Sequence, residues 1–244
     1  MDKRIQQFAV TLATILVLLA NYLAAEGFIN GTLPNQISDR YSTVITPSGY
    51  AFAIWGLIYF GLIAFSIYQA LPSQRESELI SGIRVPYLFL SALNIGWLFA
   101  WHYELVPLSL LVIVFLLICL SFICQRIAGA ASTEDVCLVK APLSFYFGWV
   151  TAATFLNLAV ALVYGGFTFA ASSAAFGVCA VAVITAIGVI VRFRINSMAY
   201  VFPLAWAVTA IGVKQSGNTL VVVATAISLM VLIFFAFWGF IKDK

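Results

Sequence analysis

The chain is predicted to be an all-α integral membrane protein with about eight transmembrane helices, on three observations. First, its 244 residues are 64% hydrophobic and 9% charged, with a mean hydropathy of +1.08. A soluble domain of this size cannot bury so much apolar surface, because the buried fraction rises only slowly with length. Second, the apolar runs approach or exceed the ~20 residues that cross hydrocarbon as a helix, whereas a β-barrel would show alternating stretches of about ten. Third, the basic residues alternate between successive connections as multi-pass topology requires.

Apolar segments fall at 8–28, 48–71, 86–101, 105–125, 138–164, 169–191, 198–213 and 218–241. The first follows Lys3 and Arg4. Its length argues for a retained helix over a signal peptide, despite the small residues Ala24 and Ala25. The second follows Pro47. The third and seventh are short, at about 16 residues or ~24 Å of helical rise, and Pro203 within the seventh suggests a kink. Thr133-Glu134-Asp135 fits a helix start ahead of the fifth. With a cytoplasmic amino terminus, the inside segments hold Lys3, Arg4, Arg75, Arg84, Arg126, Lys140, Arg192, Arg194, Lys242 and Lys244. Only Arg40 and Lys214 fall outside. Both termini are therefore expected to be cytoplasmic in an inner or plasma membrane.

Composition also excludes functions. A net charge of +3 without a basic run gives no basis for nucleic-acid binding. Cys119, Cys124, Cys137 and Cys179 form no CxxC pair and read as small buried hydrophobes. No catalytic set, metal cluster or phosphate loop can be assembled. His102, the only histidine, reads as a surface residue at an outer turn. As a haem ligand it would lack an intramembrane partner histidine. Lys214 ends its span at the outer edge with no intramembrane acid as counter-ion, which argues against a retinal-protein role.

What stands out is a set of aromatic and carboxamide side chains at membrane depth, where polar tips face a bundle interior or a cavity. Phe52, Trp55 and Tyr59 share one helical face, with Tyr50 near its outer entrance. Asn94 and Trp97 lie one turn apart on the third helix, on the same face as Trp101. Asn94 must bond across helices or to a ligand, because an unpaired carboxamide in hydrocarbon is costly. On the fifth helix Trp149, Ala153 and Asn157 follow an i, i+4, i+8 spacing, and Ala153 leaves a notch that admits either a flat ligand or a neighbouring helix. Trp55 and Trp149 could sandwich a planar ligand between them. Residues 26–47 form a long outer connection that reads as a structured lid, since loops of this length in compact proteins tend to be functional or disordered.

These phrases resemble the TspO/MBR family, the tryptophan-rich sensory proteins related to the mitochondrial translocator protein (peripheral benzodiazepine receptor). The matching residues are Pro47, Tyr50, Phe52, Trp55 and Tyr59; Leu93, Asn94 and Trp97; and Trp149, Ala153, Thr154, Leu156 and Asn157. The resemblance covers about residues 8–165. It implies a five-helix ligand-binding bundle over 1–165, followed by a three-helix membrane extension over 166–244 that has no counterpart in five-helix members. It further implies a porphyrin or haem-like ligand, without a covalent cofactor, in a pocket lined by Tyr50, Phe52, Trp55, Tyr59, Asn94, Trp97, Trp149, Ala153 and Asn157. The expected role is that of a receptor, sensor or carrier. The partners would be the lipid bilayer and a hydrophobic small molecule, with a homodimer as the family's common assembly. A secondary transporter of a small solute and a porphyrin-degrading enzyme are the alternatives. The absence of acids within the spans weakens coupling to protons or sodium. The cholesterol-recognition pattern is incomplete, because Leu162-Val163-Tyr164 is followed by Gly165, Gly166 and Phe167 with no base.

The topology is checked by reporter fusions, which should place both termini in the cytoplasm. A cysteine introduced at Asn35 should react with an impermeant thiol reagent added outside. A carboxyl terminus on the outer side would show that a span has been miscounted.

Overall fold

The computed structural model describes residues 2–242, with side chains through Trp238. All eight apolar segments form helices, and no strand occurs among the described residues. Asp2 starts α1 (Lys3–Ala25), its carboxylate accepting from the Arg4 amide at 2.9 Å. The outer connection contains a short helix, α2 (Pro34–Arg40), with Pro at its first position and the Gln36 side chain accepting from the Leu33 amide. A 3₁₀ turn, Gly49–Ala53, leads into α3 (Ile54–Ala70). Then come α4 (Glu78–His102), α5 (Val106–Arg126) and α6 (Ala141–Tyr164). Ser132 caps the Thr133–Asp135 turn, and a π turn, Val136–Lys140, joins that turn to α6. The remaining helices are α7 (Ala174–Arg194), α8 (Val201–Lys214) and α9 (Thr219–Lys242).

Among the described residues seven segments are long and apolar enough to cross a membrane, and the stretch Met198–Lys214 is a shorter apolar helix. Two expectations are corrected. The third span is a full 25-residue helix starting at Glu78, eight positions before the predicted start. Arg84 hid its first turns, because a guanidinium reads as a membrane boundary. It is instead fully buried, donating to the carbonyls of Gln69, Gln74 and Arg75 and to the Gln69 carboxamide. Those carbonyls lie at and beyond the carboxyl end of α3, where a cation is stabilised. The second correction concerns Pro203, which falls in the first turn of α8. A first-turn amide has no helical acceptor, so its absence there demands no kink.

The first five long helices close into a ring, in which α1 packs on α3 and α4, α4 on α5, α5 on α6, and α6 back on α3. The last three attach mainly through α8 on α6. This contact is close because Gly148 of α6 has no side chain. A Cβ there would sit 2.1 Å from the Tyr200 carbonyl oxygen. Beside it the Thr151 and Tyr200 hydroxyls share a 2.9 Å hydrogen bond, and the Phe147 and Tyr200 rings lie 4.8 Å apart. Lys3 pairs with Glu76 at one end of the bundle, and Lys214 pairs with Asp39 at the other. Arg40 and Lys214, the two bases outside the inner set, thus share the lid end.

Because backbone rather than a movable side chain opposes Gly148, Gly148→Ala should destabilise the fold by about 1–3 kcal/mol or more. Gly96→Ala, where an added methyl meets nothing within 4 Å, should instead stabilise by roughly 0.5–1 kcal/mol. Thermal unfolding in detergent distinguishes them, and equal melting temperatures would refute the close-packing account.

Candidate functional site

An aromatic ladder occupies the inside of the five-helix ring. Trp55 and Tyr59 on α3, and Trp97 and Trp101 on α4, are i, i+4 pairs, so each pair stacks along its own helix. Their ring centroids lie 5.6 and 5.8 Å apart, with planes within 19° and 18°. Trp55 and Trp97 join the pairs across helices at 6.4 Å and 31°. Trp149 of α6 meets Trp55 edge-on at 6.3 Å and 82°, and meets Phe52 in the same manner. The expected face-to-face sandwich of a ligand by Trp55 and Trp149 is therefore corrected. Their planes are nearly perpendicular, and the facing pair closer to parallel is Trp55 and Trp97, tilted by 31°.

Two small compartments adjoin this ladder. The inner one, of about 30 Å³, is walled by Phe52, Trp55, Trp97, Trp149, Ala153 and Asn157, with Ser38 of α2 above it. It has room for roughly one water molecule. The outer one, of about 190 Å³, extends towards Asn21, Ala24, Leu33, Pro34 and Tyr59. The outer connection thus roofs both compartments. It is tied down by Asn30 to the His102 carbonyl (2.8 Å), by the Trp101 indole to the Pro34 carbonyl (3.2 Å), and by Arg40 and Tyr41 to Glu104. The Tyr41 hydroxyl donates to that carboxylate, which holds the phenol above its ordinary pKa. Lys214, Gln215 and the Ala210 carbonyl attach the same segment to α8 and its end. Gly27 and Gly31 turn it at φ +74° and +64°, a backbone region that suits glycine.

Of the nine residues predicted for the site, Phe52, Trp55, Tyr59, Trp97, Trp149, Ala153 and Asn157 line the compartments. Tyr50 does not: it is half-exposed and packs edge-on against Trp206, whose indole donates to the Ala51 carbonyl. Asn94 is buried in a hydrogen-bonded chain. Tyr59 donates to Asn21 (2.6 Å), Asn21 to Asn94 (2.8 Å), and Asn94 to Tyr146 (2.7 Å), linking α3, α1, α4 and α6. Asn157 pairs with Ser109 of α5 at 3.1 Å. His102 is not at the surface. It is fully buried, with Nδ1 on the Leu98 carbonyl at 2.7 Å, because the lid covers the end of α4. Sequence reasoning missed Asn21, although the argument applied to Asn94 holds equally for a carboxamide amid the aliphatic residues of α1. It also missed Ser38 and Tyr146, which no local pattern marks.

The indole N–H groups of Trp97 and Trp149 are buried without an acceptor. Two unpaired buried donors in this wall are costly unless something occasionally accepts from them. The two compartments are lined by no histidine, cysteine, methionine or charged side chain. Among the described residues no group of His, Cys, Asp and Glu could hold a metal ion. The lining offers aromatic faces for stacking and neutral groups for hydrogen bonding.

Fold and site together define an all-helical, multi-pass membrane bundle with a lidded aromatic chamber. The family model for TSPO-like protein matches residues 7–238, and the chain belongs to that family. The match runs through α7, α8 and α9. Searches of the curated proteins and of the solved structures found no match.

Asn94→Ala breaks the hydrogen-bonded chain in its middle, leaving the Tyr146 hydroxyl without its donor. It should lower ligand-free stability by about 1–3 kcal/mol, the scale of leaving buried polar groups unsatisfied. A thermal melt equal to the wild type would mean that the chain contributes nothing to holding the helices.

Proposed function

We propose that this protein is a membrane receptor or carrier that takes a flat amphipathic ligand, a porphyrin or related tetrapyrrole, into the aromatic chamber beneath its lid. The observation that carries this reading is the pair of unpartnered indole N–H groups, Trp97 and Trp149, in the wall of an uncharged aromatic chamber. A planar macrocycle with peripheral acceptor groups offers a face for stacking and an oxygen for each indole. It would be held by faces and edges, in a chamber that no histidine, cysteine or methionine lines.

The chamber is closed as it stands. A flat ring between Trp55 and Trp97 needs a van der Waals contact of about 3.5–4.0 Å on each side, more than their 6.4 Å centroid spacing allows. Binding between these faces therefore requires the two indoles to part beneath the lid. Sensing, sequestration and carriage all begin with this step.

Quenching of tryptophan fluorescence by a tetrapyrrole series tests the reading in purified protein. Trp55→Ala and Trp97→Ala should each weaken binding by about 1–3 kcal/mol, the scale of base stacking on an aromatic ring. Ala153→Phe should block binding while the fold persists, because overpacking costs only about 1–3 kcal/mol. Trp238→Ala, on the exposed face of α9, should bind like the wild type. If Trp55→Ala and Trp238→Ala bind equally well, the ladder is packing alone.

A further inference from the structure

The polar groups in the wall of the inner compartment fall into two sets. Asn157 is paired with Ser109 at 3.1 Å, and the Trp101 indole donates to the Pro34 carbonyl at 3.2 Å. The remaining three have no partner. The indole N–H groups of Trp97 and Trp149 are buried without an acceptor, and the Ser38 hydroxyl makes no hydrogen bond among the described residues. All three side chains are withdrawn from the surface: Ser38 is 5% exposed, Trp97 6% and Trp149 1%. All three line the same compartment. Ser38 is the residue of the outer connection in that wall, and it is held there by its neighbours, since Ile37 is fully buried and Asp39 pairs with Lys214.

At about 30 Å³ the compartment has room for roughly one oxygen atom, so its walls converge on a single atom. An indole N–H only donates, whereas a serine hydroxyl donates or accepts. What completes the set is therefore an acceptor. A carboxylate does not suit it, because no charged side chain lines either compartment and an unpaired buried charge is costly. A hydroxyl oxygen brings a proton that neither indole can accept. A carbonyl oxygen brings two lone pairs and no proton, and it is neutral. Phe52, Trp55 and Trp97 line both compartments, so a flat ring against them in the outer one has its edge at the inner one.

We propose that the inner compartment is a subsite for one neutral carbonyl oxygen on the edge of the ligand ring, accepting from the Trp97 and Trp149 indoles, with the Ser38 hydroxyl donating from the lid. One oxygen then serves both indoles. The inference rests on the reading of the chamber as a tetrapyrrole site, and it specifies what the chamber selects: macrocycles with a ring carbonyl over those whose oxygens are all carboxylate. Because Ser38 belongs to the lid, the bound oxygen also holds the lid down over the ligand.

The test uses the full chain in detergent, with binding read from the absorbance of the macrocycle, so that tryptophan substitutions leave the signal intact. The probes are octaethylporphyrin and its oxochlorin derivative, the same ring carrying one ketone. Wild-type protein should bind the ketone about thirtyfold more tightly, the scale of two net hydrogen bonds, and release it more slowly. Trp97→Phe, Trp149→Phe and Ser38→Ala should each cut that preference about fivefold, the scale of one such bond. Ser38→Ala should also speed release of the ketone while leaving octaethylporphyrin affinity as it was, a difference that damage to packing would not produce. Trp238→Phe, on the exposed face of α9, should keep the full preference. Mesoporphyrin, whose oxygens are all carboxylate, should be indifferent to Ser38→Ala. Equal binding of the ketone and octaethylporphyrin to the wild type would overturn the subsite and leave the chamber reading standing, whereas binding of neither would overturn both. A preference that survives all three substitutions would overturn the subsite, since the oxygen would then lie elsewhere. So would a loss for mesoporphyrin on Ser38→Ala as large as that for the ketone, because the compartment would then take an anion.

Discussion

A polar group inside hydrocarbon is costly unless it finds a partner within the protein, and the chain Tyr59–Asn21–Asn94–Tyr146 is where this cost organises the bundle. Apolar side chains do not distinguish neighbouring helices from lipid tails, so hydrophobicity alone cannot choose which helices meet. Carboxamides can, because each needs a particular donor or acceptor. Asn21 and Asn94 join α1 to α4 directly, and the two tyrosines extend the link to α3 and α6. Tyr59 is also the end of the aromatic ladder, so the bonds that close the ring fix the plane on which Trp55 stacks.

The same rule governs the ends of the bundle. Arg84 is tolerated at full burial because the carbonyls around the end of α3 surround it, an arrangement that converts a costly charge into a joint between α3 and α4. At the lid end, Glu104 and Lys214 reach the outer connection from opposite sides, one between α4 and α5 and the other at the end of α8. Exposed pairs of this kind are individually weak. The lid is held as well by Ile29, Ile37, Val44 and Ile45, which are buried against the helices, so opening it must expose this apolar surface as well as break the pairs.

The C-terminal helices bear on the chamber through backbone geometry. Gly148 lets the Tyr200 carbonyl approach α6 on the helix that also carries Trp149 and Ala153. Trp206 bonds to Ala51 in the turn leading into α3. Movement of α8 would therefore be felt at α3 and α6, two of the helices that supply the chamber's wall, and the lid contacts of Lys214 and Gln215 would move with it.

The helical class, the eight apolar segments and most of the chamber's wall were legible in the sequence. Hydropathy and aromatic spacing are local properties, and a helix places i and i+4 on one face whatever surrounds it. The reach of the third span was not legible, because Arg84 looks like a boundary until the carbonyls that receive it are in view. Nor was the burial of His102, which depends on a lid contributed from elsewhere in the chain. The perpendicular setting of Trp149 against Trp55, and the use of Asn94 as a link between helices, were likewise decided by tertiary structure. Relative rotation and register of helices follow from which side chains meet across them. A one-dimensional pattern states which face is polar-tipped but not what that face will find.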